Sequence, residues 1–496
     1  MLNQQNPFEI LPGTYRFSKP GYLIILLGVT VIASGLIAKM GVIGAIAVIL
    51  LPFIFGYVYL LFKYPVIGLF TTIAYGFFAL GLGKYITGIP LGTLVDGFLV
   101  ITYIALIFNR FYEKVDWSPA NKDITFLALV WFGYSVFQII NPEAQSFAAW
   151  FSGRGISLYL LLMVPLTLIL IDTNQKLNAF FYIWGAISIL ATLKGIMQKE
   201  WGVDQWERAW LNEGNYKTHI LFGKLRVFSF LSDAGQFGAN QAYTGVMASI
   251  LTLAVKGLKQ KIFFITVAVL SFYGMLISGT RGALSIPIMG FATFFVLRKN
   301  KAVMLSGFIF LLLVIYFFKF TSIGQGNDQI RRMRTAFDPN DASLQVRLEN
   351  QRKLKSYMAS RPFGGGIGHG GVKAQRYLPN AYLSQVPTDS GYVLIWVEQG
   401  IVGLMLHLFI LFYVIIKASY RIMFRIRDPI TKLKMSAMVS GMVGIMVANY
   451  GNAVLYQMPT SLLFYSSMAL LMNMENFEKE QLSENEKTDP LLALAK

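Results

Sequence analysis

Charged side chains border several apolar segments of this chain, and arginine is prominent among them. Arg281 follows Ser278-Gly279-Thr280 at the start of a segment that continues Gly-Ala-Leu-Ser-Ile-Pro. A guanidinium at that position costs free energy unless it meets water or a counter-ion, so a functional role is the first expectation. The alternative is that the side chain snorkels to lipid headgroups.

The longest break in the apolar pattern is the segment 319–390, which is polar and basic. It contains eleven Lys and Arg residues against five Asp and Glu residues. Translocating so much positive charge opposes the usual cytoplasmic bias of Lys and Arg. If this loop is external, we therefore expect it to hold an anionic ligand.

A helix is predicted inside this loop, over residues 343–358. Asp341 or Ser343 can cap its start, and Pro362 stops it. An apolar stripe would consist of Leu344, Leu348, Leu354 and Met358. Arg347 lies beside that stripe, so its side chain would face either a pocket or solvent.

A glycine-rich run follows the predicted helix, with the sequence Arg361-Pro-Phe-Gly-Gly-Gly-Ile-Gly-His-Gly-Gly. Residues 366–371 match the pattern G-x-G-x-x-G, but the run follows no predicted strand and opens no helix, so we do not interpret it as a dinucleotide site. Two alternatives remain for it. Either the glycines allow unusual backbone angles and bring amide groups close to an anion, or the run is a flexible linker.

Two carboxylates and a histidine lie within apolar segments. Glu398 and Asp96 are either functional or paired structurally with a basic residue such as Lys84, Lys194 or Arg154. His407 is expected to be a hydrogen-bonded packing residue.

A second long polar segment, residues 199–238, carries tryptophans at near-helical spacing: Trp201, Trp206 and Trp210. One interpretation is an amphipathic helix on the membrane surface with a tryptophan belt. The other is a set of aromatic platforms that stack on sugar rings.

Composition identifies the elements that must position these groups. Hydrophobic residues make up 55% of the chain, charged residues only 14%, and the mean hydropathy is +0.55, all typical of a membrane protein. Cysteine is absent, which excludes disulfides and thiolate metal sites. We predict fourteen membrane spans, near 20–38, 41–61, 64–82, 90–108, 124–140, 155–172, 178–197, 240–256, 262–278, 281–297, 302–318, 390–416, 434–455 and 459–474.

Basic residues in alternate short loops predict the orientation, because such loops stay in the cytoplasm. The organisation expected is a cytoplasmic N-terminus (1–19), transmembrane helices (20–318) with an external loop near 199–238, and a large external loop (319–390). C-terminal transmembrane helices (391–474) and a cytoplasmic tail (475–496) would follow. The tail is acidic and is expected to be disordered.

Three segments occur in an order that resembles a known family. They are Ser278-Gly-Thr-Arg-Gly-Ala-Leu, then Val346-Arg-Leu-Glu-Asn through Ser360-Arg-Pro-Phe-Gly-Gly-Gly-Ile-Gly, then Thr388-Asp-Ser-Gly-Tyr-Val-Leu-Ile-Trp-Val-Glu-Gln-Gly-Ile-Val-Gly-Leu. Over about residues 220–455 the chain resembles the O-antigen ligase and polymerase family of bacterial membrane enzymes.

The predicted spans indicate an all-α polytopic membrane protein with about 12–14 transmembrane helices and a large extracytoplasmic loop, and the resemblance implies that it is GT-C-like. The resemblance also implies a metal-independent glycosyltransferase without a cofactor, in the bacterial inner membrane with its active site on the periplasmic side. Its donor would be a glycan linked to undecaprenyl pyrophosphate, and its acceptor a glycan, lipid A-core or a protein. Membrane lipids are implied as partners, and nucleic acid is not.

The resemblance also assigns residues. Arg281, Arg226 and Arg347 match arginines of the family and would bind the pyrophosphate. Many members of the family carry a His, often followed by Asn, shortly before the Glu-x-Gly element. This chain has Thr388-Asp389-Ser390 there, so Asp389 or His369 is the candidate base. The candidate substrate-binding set is completed by Arg154, Arg376 and Glu398.

Alternatives remain open at two levels. Within the family, a ligase and a polysaccharide polymerase are both compatible with these motifs. Outside it, a polysaccharide or lipid-linked-sugar transporter or flippase would share the many spans, but it should show broken helices and buried charges at the middle of the membrane.

Overall fold

The computed structural model of the chain describes residues 20–86, 88, 90–109, 115–221, 223–338 and 340–488. Within them the protein is α-helical apart from one two-residue hairpin. The expectation of an all-α polytopic membrane protein is confirmed. The predicted N-terminal segment 1–19 lies outside the described residues.

The first of two compact units ends at Tyr64 and contains α1 (Pro20–Met40) and α2 (Val42–Lys63). The two helices are joined at Gly41, whose φ of +57° is the left-handed conformation that glycine adopts at little cost. Both helices carry apolar side chains over most of their exposed surface, as expected of segments that face lipid.

The second unit begins at Pro65 and contains the remaining elements. Its helices before the large loop are α3 (Val66–Leu82), α4 (Leu94–Asn109), α5 (Asp123–Phe137), α6 (Phe147–Gly153), α7 (Gly155–Leu170), α8 (Asn174–Glu200), α9 (Gln205–Trp210), α10 (Tyr216–His219), α11 (Ala234–Ala254), α12 (Leu258–Ile277), α13 (Ser285–Leu297) and α14 (Lys301–Phe320). The hairpin strands β1 (Ile220–Leu221) and β2 (Lys224–Leu225) are antiparallel.

The large loop and the C-terminal part add α15 (Asp328–Arg334), α16 (Ala342–Met358), α17 (Tyr382–Gln385), α18 (Gly391–Phe424), α19 (Pro429–Gly451), α20 (Thr460–Met472) and α21 (Met474–Thr488). The short 3-10 helices are Leu91–Thr93, Ser118–Ala120, Gln138–Ile140, Arg281–Leu284, Thr335–Phe337 and Val372–Arg376. A π-helical turn spans Leu211–Asn215.

Eight helical stretches of the described residues are long and apolar enough to cross a membrane, or nine if the bent pair α6 and α7 counts as one span. Four shorter apolar helical stretches accompany them: 26–40, 66–82, 281–297 and 460–472. Each of the fourteen predicted segments overlaps a helix. The segment 240–256 falls on α11, which is buried along nearly its whole length because α12, α13 and α19 pack around it.

The helix predicted in the large loop is confirmed as α16. The side chain of Asp341 caps it by accepting a hydrogen bond from the Leu344 amide at 3.0 Å. Leu354 and Met358 are buried against a cluster that includes Val397 of α18, so the C-terminal half of α16 is anchored to a span.

The expectation of a disordered tail is wrong for residues 475–488, which belong to α21. Phe477 is fully buried, and its carbonyl accepts a hydrogen bond from the Asn174 side chain at 2.8 Å. Glu480 accepts one from the Asn174 amide at 2.7 Å. An apolar anchor and these polar contacts order a segment that its acidic composition alone would leave disordered. Residues 489–496 lie outside the described part of the chain.

Candidate functional site

A tight turn at residues 278–280 joins α12 to the 3-10 helix that opens α13, and it presents Arg281. Gly279 has a φ of +58°, and a Cβ there would lie 3.0 Å from Cδ of Arg332. The turn also packs closely on α11, because a Cβ on Gly238 would lie 2.2 Å from the Ser278 hydroxyl. The position of Arg281 is therefore set by packing that tolerates little more than glycine at two points.

Arg281 is held by the segment that precedes α16. Its guanidinium forms an ion pair with Asp341 and donates a hydrogen bond to the Thr335 hydroxyl at 3.1 Å. Asp341 is also the residue that caps α16. One carboxylate thus connects the arginine at the mouth of a span to the helix that carries Arg347.

Arg226 approaches the same turn from the loop before α11. It donates to the Thr218 carbonyl at 2.9 Å and to the Thr280 hydroxyl at 3.2 Å. Burial lowers the pKa of Arg226, and the positive charges of Arg281 and Arg347 lower it further, while Asp233 opposes them. Arg226 is therefore within electrostatic reach of both other arginines, in surroundings that favour an added anion.

Arg347 and Arg281 line one cavity of about 250 Å³. Its polar wall adds Thr335, Asp338 and Asp341, and its apolar wall consists of Leu284, Ile288, Ala336, Phe337 and Leu344, with Gly282 and Ser285 completing the lining. A mixed cavity with convergent cations suits a ligand that has an anionic end and an apolar end.

Asp389 adjoins this region through the chain segment after α19. Its carbonyl accepts a hydrogen bond from the Ala453 amide at 3.1 Å. Gly451, the last residue of α19, lies two residues before Ala453 and is a neighbour of Arg347. A Cβ on Gly451 would lie 3.8 Å from Nη1 of the arginine. Asp389 has a φ of +49°, which is uncommon for a residue with a side chain and is often associated with functional sites.

His369 lies elsewhere, inside the glycine-rich turn. Its Nδ1 bonds the Ile367 carbonyl at 2.9 Å, and Nε2 accepts from the amides of Gln145 and Ser146 at 3.0 and 3.2 Å. Burial lowers the pKa of this histidine. Both ring nitrogens have backbone partners that suit the neutral form, an arrangement that favours anchoring the turn over proton transfer.

The glycine-rich turn is docked on α18 at a break in that helix. Gly400 has a φ of +70° inside α18, and the amides of Gly365 and Gly366 donate to the Val397 and Glu398 carbonyls at 2.8 and 2.9 Å. A Cβ on Gly364 would lie 2.4 Å from the Gly400 nitrogen. The glycines thus permit backbone-to-backbone packing, which argues against a flexible linker.

Glu398 lies beneath this turn and is only 4% exposed. Its Oε1 accepts from the Gly370 amide at 3.4 Å, and its Oε2 has no hydrogen-bond partner among the residues that the structure describes. The acidic group that a glycine amide approaches is therefore a side chain of the protein itself. The structure does not bring Glu398 into the cavity of Arg281 and Arg347.

Arg154 and Arg376 also lie apart from the cavity. Arg154 forms an ion pair with Asp96 and packs over the Phe151 ring at 3.7 Å, which confirms structural pairing for Asp96. Arg376 is exposed on its 3-10 helix beside Tyr377.

The tryptophans of residues 199–238 do not share one face. Trp201 is 81% exposed, Trp206 is half-exposed, and Trp210 packs against His219 and Phe228. Neither interpretation of this segment is decided by these positions.

Sequence reasoning missed Arg332 as a functional candidate, and it named Lys84 only as a possible partner of Glu398 or Asp96. Arg332 lies beside the turn at Gly279, but nothing in the run Arg331-Arg332-Met333-Arg334 distinguishes it from its neighbours. Lys84 is buried over the Trp210 and Phe228 rings and donates to the Leu231 carbonyl at 2.7 Å. Burial lowers the pKa of Lys84 to about 7. It fastens the loop that carries Arg226.

No group of three or more His, Asp or Glu side chains within the described ranges is arranged to hold a metal ion. The charged groups that converge are guanidinium groups, which bind oxyanions through hydrogen bonds and charge.

Residues 266–408, from α12 into α18, match the model of a family described as O-antigen ligase. The match includes Arg281, Arg347 and Asp389, whereas Arg226 lies before it. No curated protein matches the chain.

Proposed function

We propose, from the premise that this chain carries an O-antigen ligase domain at residues 266–408, that it transfers a glycan from undecaprenyl pyrophosphate to an acceptor. The acceptor would be lipid A-core, a protein, or a further glycan on its own lipid carrier. The first two make the enzyme a ligase, and the third makes it a polymerase.

The observation that carries this proposal is the cavity shared by Arg281 and Arg347, with Arg226 within electrostatic reach. When the glycosidic bond breaks, negative charge grows on the pyrophosphate leaving group. Prearranged guanidinium groups stabilise that charge more in the transition state than in the ground state, which lowers the barrier. The apolar wall formed by Leu284, Ile288 and Phe337 suits the first units of a polyprenyl chain.

Asp389 is our candidate for the base that activates the acceptor hydroxyl. It adjoins the segment 451–453 that also contacts Arg347, and its carboxylate has no hydrogen bond or ion pair with the residues described. A carboxylate without a partner is available to accept a proton. The contacts of His369, Arg154, Arg376 and Glu398 favour structural or peripheral roles, so we assign them no step.

We place this reaction on the periplasmic face of the bacterial inner membrane. Basic residues concentrate in the short loops after α11, α13 and α18, which is typical of cytoplasmic loops. The cavity lies at the other ends of α12 and α13, beside the turn 278–280. A donor assembled on a lipid carrier would reach it there after translocation.

A transporter is the second candidate, and one observation favours it. Helix α18 is broken at Gly400 beside the buried Glu398, as helices of transporters often are at a binding site. The break, however, is filled by backbone of the glycine-rich turn, which bonds Val397 and Glu398. Because a filled break offers no room for cargo, we prefer the enzyme.

Deletion of the gene, followed by complementation, tests the proposal. Surface and lipid-linked glycans are resolved on a gel from cells with wild type, Arg281→Ala, Asp389→Ala, or the control Arg352→Ala, which alters an exposed arginine of α16. We expect wild type and the control to restore the glycans. The Arg281 variant should lower transfer by about a hundredfold or more, as loss of a charge-stabilising donor does.

The pattern after deletion identifies the acceptor class. Long chains that accumulate on the lipid carrier indicate a ligase, and single repeat units in place of a ladder indicate a polymerase. Glycans unchanged by deletion would refute the proposal and leave the transporter. A stably expressed Asp389→Ala protein that transfers glycan at the wild-type rate would eliminate that residue as the base.

A further inference from the structure

Three arginines in the short helix α15 have different surroundings, and two of them have structural partners. Arg331 is largely exposed and forms an ion pair with Asp328. Arg334 donates to backbone carbonyls at and after the end of α14, including Ile323 at 2.6 Å and Phe318 at 3.2 Å. Cationic donors at a helix C-terminus satisfy carbonyls that lack partners in the helix. Arg334 therefore fastens α15 to α14.

Arg332 differs from both neighbours. Its side chain passes directly over Gly279. The buried Nε atoms of Arg332 and Arg334 both have no hydrogen-bond partner among the described residues, but Arg334 donates through its other two nitrogens. Within that same part of the chain the guanidinium of Arg332 forms no hydrogen bond or ion pair. A partly buried arginine without a partner is costly, so the position suggests a ligand.

The surroundings of Arg332 increase that cost. Burial and the positive charges of Arg226 and Arg281 together lower its pKa to about 10, while Asp341 opposes them. Three guanidinium groups thus meet at one turn: Arg332 on Gly279, Arg226 on Thr280, and Arg281 next in the chain. With Arg347 in the adjoining cavity, four cations lie within electrostatic reach of this site.

We propose that Arg332 is a further substrate-binding residue, which together with Arg226 forms a second phosphate site beside that of Arg281 and Arg347. This inference rests on the proposed function, since it deepens the account of the donor. A diphosphate presents two groups of oxyanions, and two arginine pairs on either side of the turn 279–281 match them. The second site selects a diphosphate lipid over a monophosphate lipid, because the monophosphate fills only one pair.

The lining of the cavity indicates which arginine pair binds which phosphate of the donor. Arg281 and Arg347 lie beside the apolar wall, so they face the phosphate attached to the polyprenyl chain. Arg226 belongs to the loop 199–238, and neither Arg226 nor Arg332 is among the residues that line that cavity, so we assign this pair to the phosphate attached to the sugar. As the glycosidic bond breaks, this pair would stabilise the charge on the phosphate that carried the sugar, and Arg281 and Arg347 would stabilise the charge shared with the other phosphate.

A binding measurement on the purified full chain in lipid nanodiscs tests the inference. The probes are undecaprenyl pyrophosphate and undecaprenyl phosphate, and the variants are Arg332→Gln and the control Arg331→Gln. Loss of one charge-assisted interaction should weaken pyrophosphate binding about 10-fold or more. Binding of the monophosphate should change by less than about 2-fold, and the control should bind both lipids as wild type does.

Three results would overturn the inference: an equal loss for both lipids, no loss for the pyrophosphate, or a wild type without preference for it. Thermal unfolding accompanies each variant. If Arg332→Gln is destabilised, Arg332→Lys decides, because it keeps the charge and loses only the bidentate grip. It should then retain part of the preference, and a full wild-type preference would contradict a bidentate site.

The binding assay is independent of transfer, so the two proposals fail separately. If the protein prefers undecaprenyl pyrophosphate and this preference depends on Arg332, but deletion of the gene leaves the glycans unchanged, the proposed function is refuted and the inference stands. Transfer that requires Arg281, in a protein without any preference for pyrophosphate, would refute the inference alone.

Discussion

Arg361 and Arg334 illustrate arginines of the large loop whose contacts are structural. Arg361 pairs with Glu143 at 3.2 Å and stacks over Tyr357, so it fixes the end of α16 to the segment before α6. Arg334 bonds carbonyls near the end of α14. At the residue scale, Arg361 and Arg334 differ from Arg332 because each of their guanidinium groups has a partner within the protein. Charge and exposure alone would group all three together.

Asp341 gives a prediction at the same scale. We expect Asp341→Asn to bind inorganic pyrophosphate more tightly than wild type, by up to about 5-fold, since a partly exposed ion pair contributes at most about 1 kcal/mol. Asparagine caps a helix as well as aspartate does, so α16 should stay in place. Only the charge that competes for Arg281 is removed. Calorimetric titration of the purified protein measures the affinity.

The matched control for Asp341 is Asp338→Asn. Asp338 lines the same cavity but forms no ion pair with any residue described here. Asp338→Asn should change the affinity for pyrophosphate less than Asp341→Asn does. Weaker pyrophosphate binding in Asp341→Asn would contradict the prediction, and would mean that the carboxylate positions Arg281 for the ligand instead of competing with it.

At the scale of elements, the glycine-rich turn links the large loop to the break in α18, and His369 fastens the turn to residues 145–146. The neutral imidazole suits these contacts, since Nε2 accepts from two amides. Protonation would replace an acceptor with a donor that faces two other donors. This junction should therefore be sensitive to acid.

The pH dependence of stability follows from the lowered pKa of His369. A lowered pKa means that the unfolded chain binds the proton more readily, so stability is fully present above the ordinary value near 6.5. It falls as the pH drops below that value. We expect the melting temperature of wild type to decrease between about pH 7 and pH 5, and to decrease less in His369→Gln. Parallel curves for the two proteins would contradict this role.

Spans and caps could be predicted from the sequence because they depend on local patterns. Apolar length locates the helices, and Asp341 precedes an amphipathic segment that it can cap. The contacts of Arg332 and His369 could not be predicted, because both depend on distant segments. Arg332 contacts the turn at Gly279, and His369 contacts residues 145–146. Non-local packing has no signature in the spacing of single residues.

The same limit explains the tail. An acidic composition predicts disorder only if no partner is available, and the partners of α21 lie in distant segments, at Asn174 and at Asp428. Asn174 donates its side-chain amide to the Phe477 carbonyl and its backbone amide to the Glu480 carboxylate, and the Asp428 backbone amide donates to Glu478 at 2.8 Å. At the scale of the whole molecule, α21 joins the start of α8 to the turn before α19.

Removing the anchor of α21 should therefore weaken the second unit as a whole. Phe477 is fully buried, and truncation of such a side chain costs about 3–5 kcal/mol, so Phe477→Ala should lower the melting temperature by several degrees. Leu482→Ala is the control, because that leucine is 39% exposed on the same helix and should cost little. Tryptophan fluorescence of the protein in nanodiscs follows the unfolding. Equal melting temperatures for Phe477→Ala and wild type would mean that α21 docks without supporting the helices it joins. In that case truncation after residue 473 should also leave the unfolding of the remaining helices unchanged.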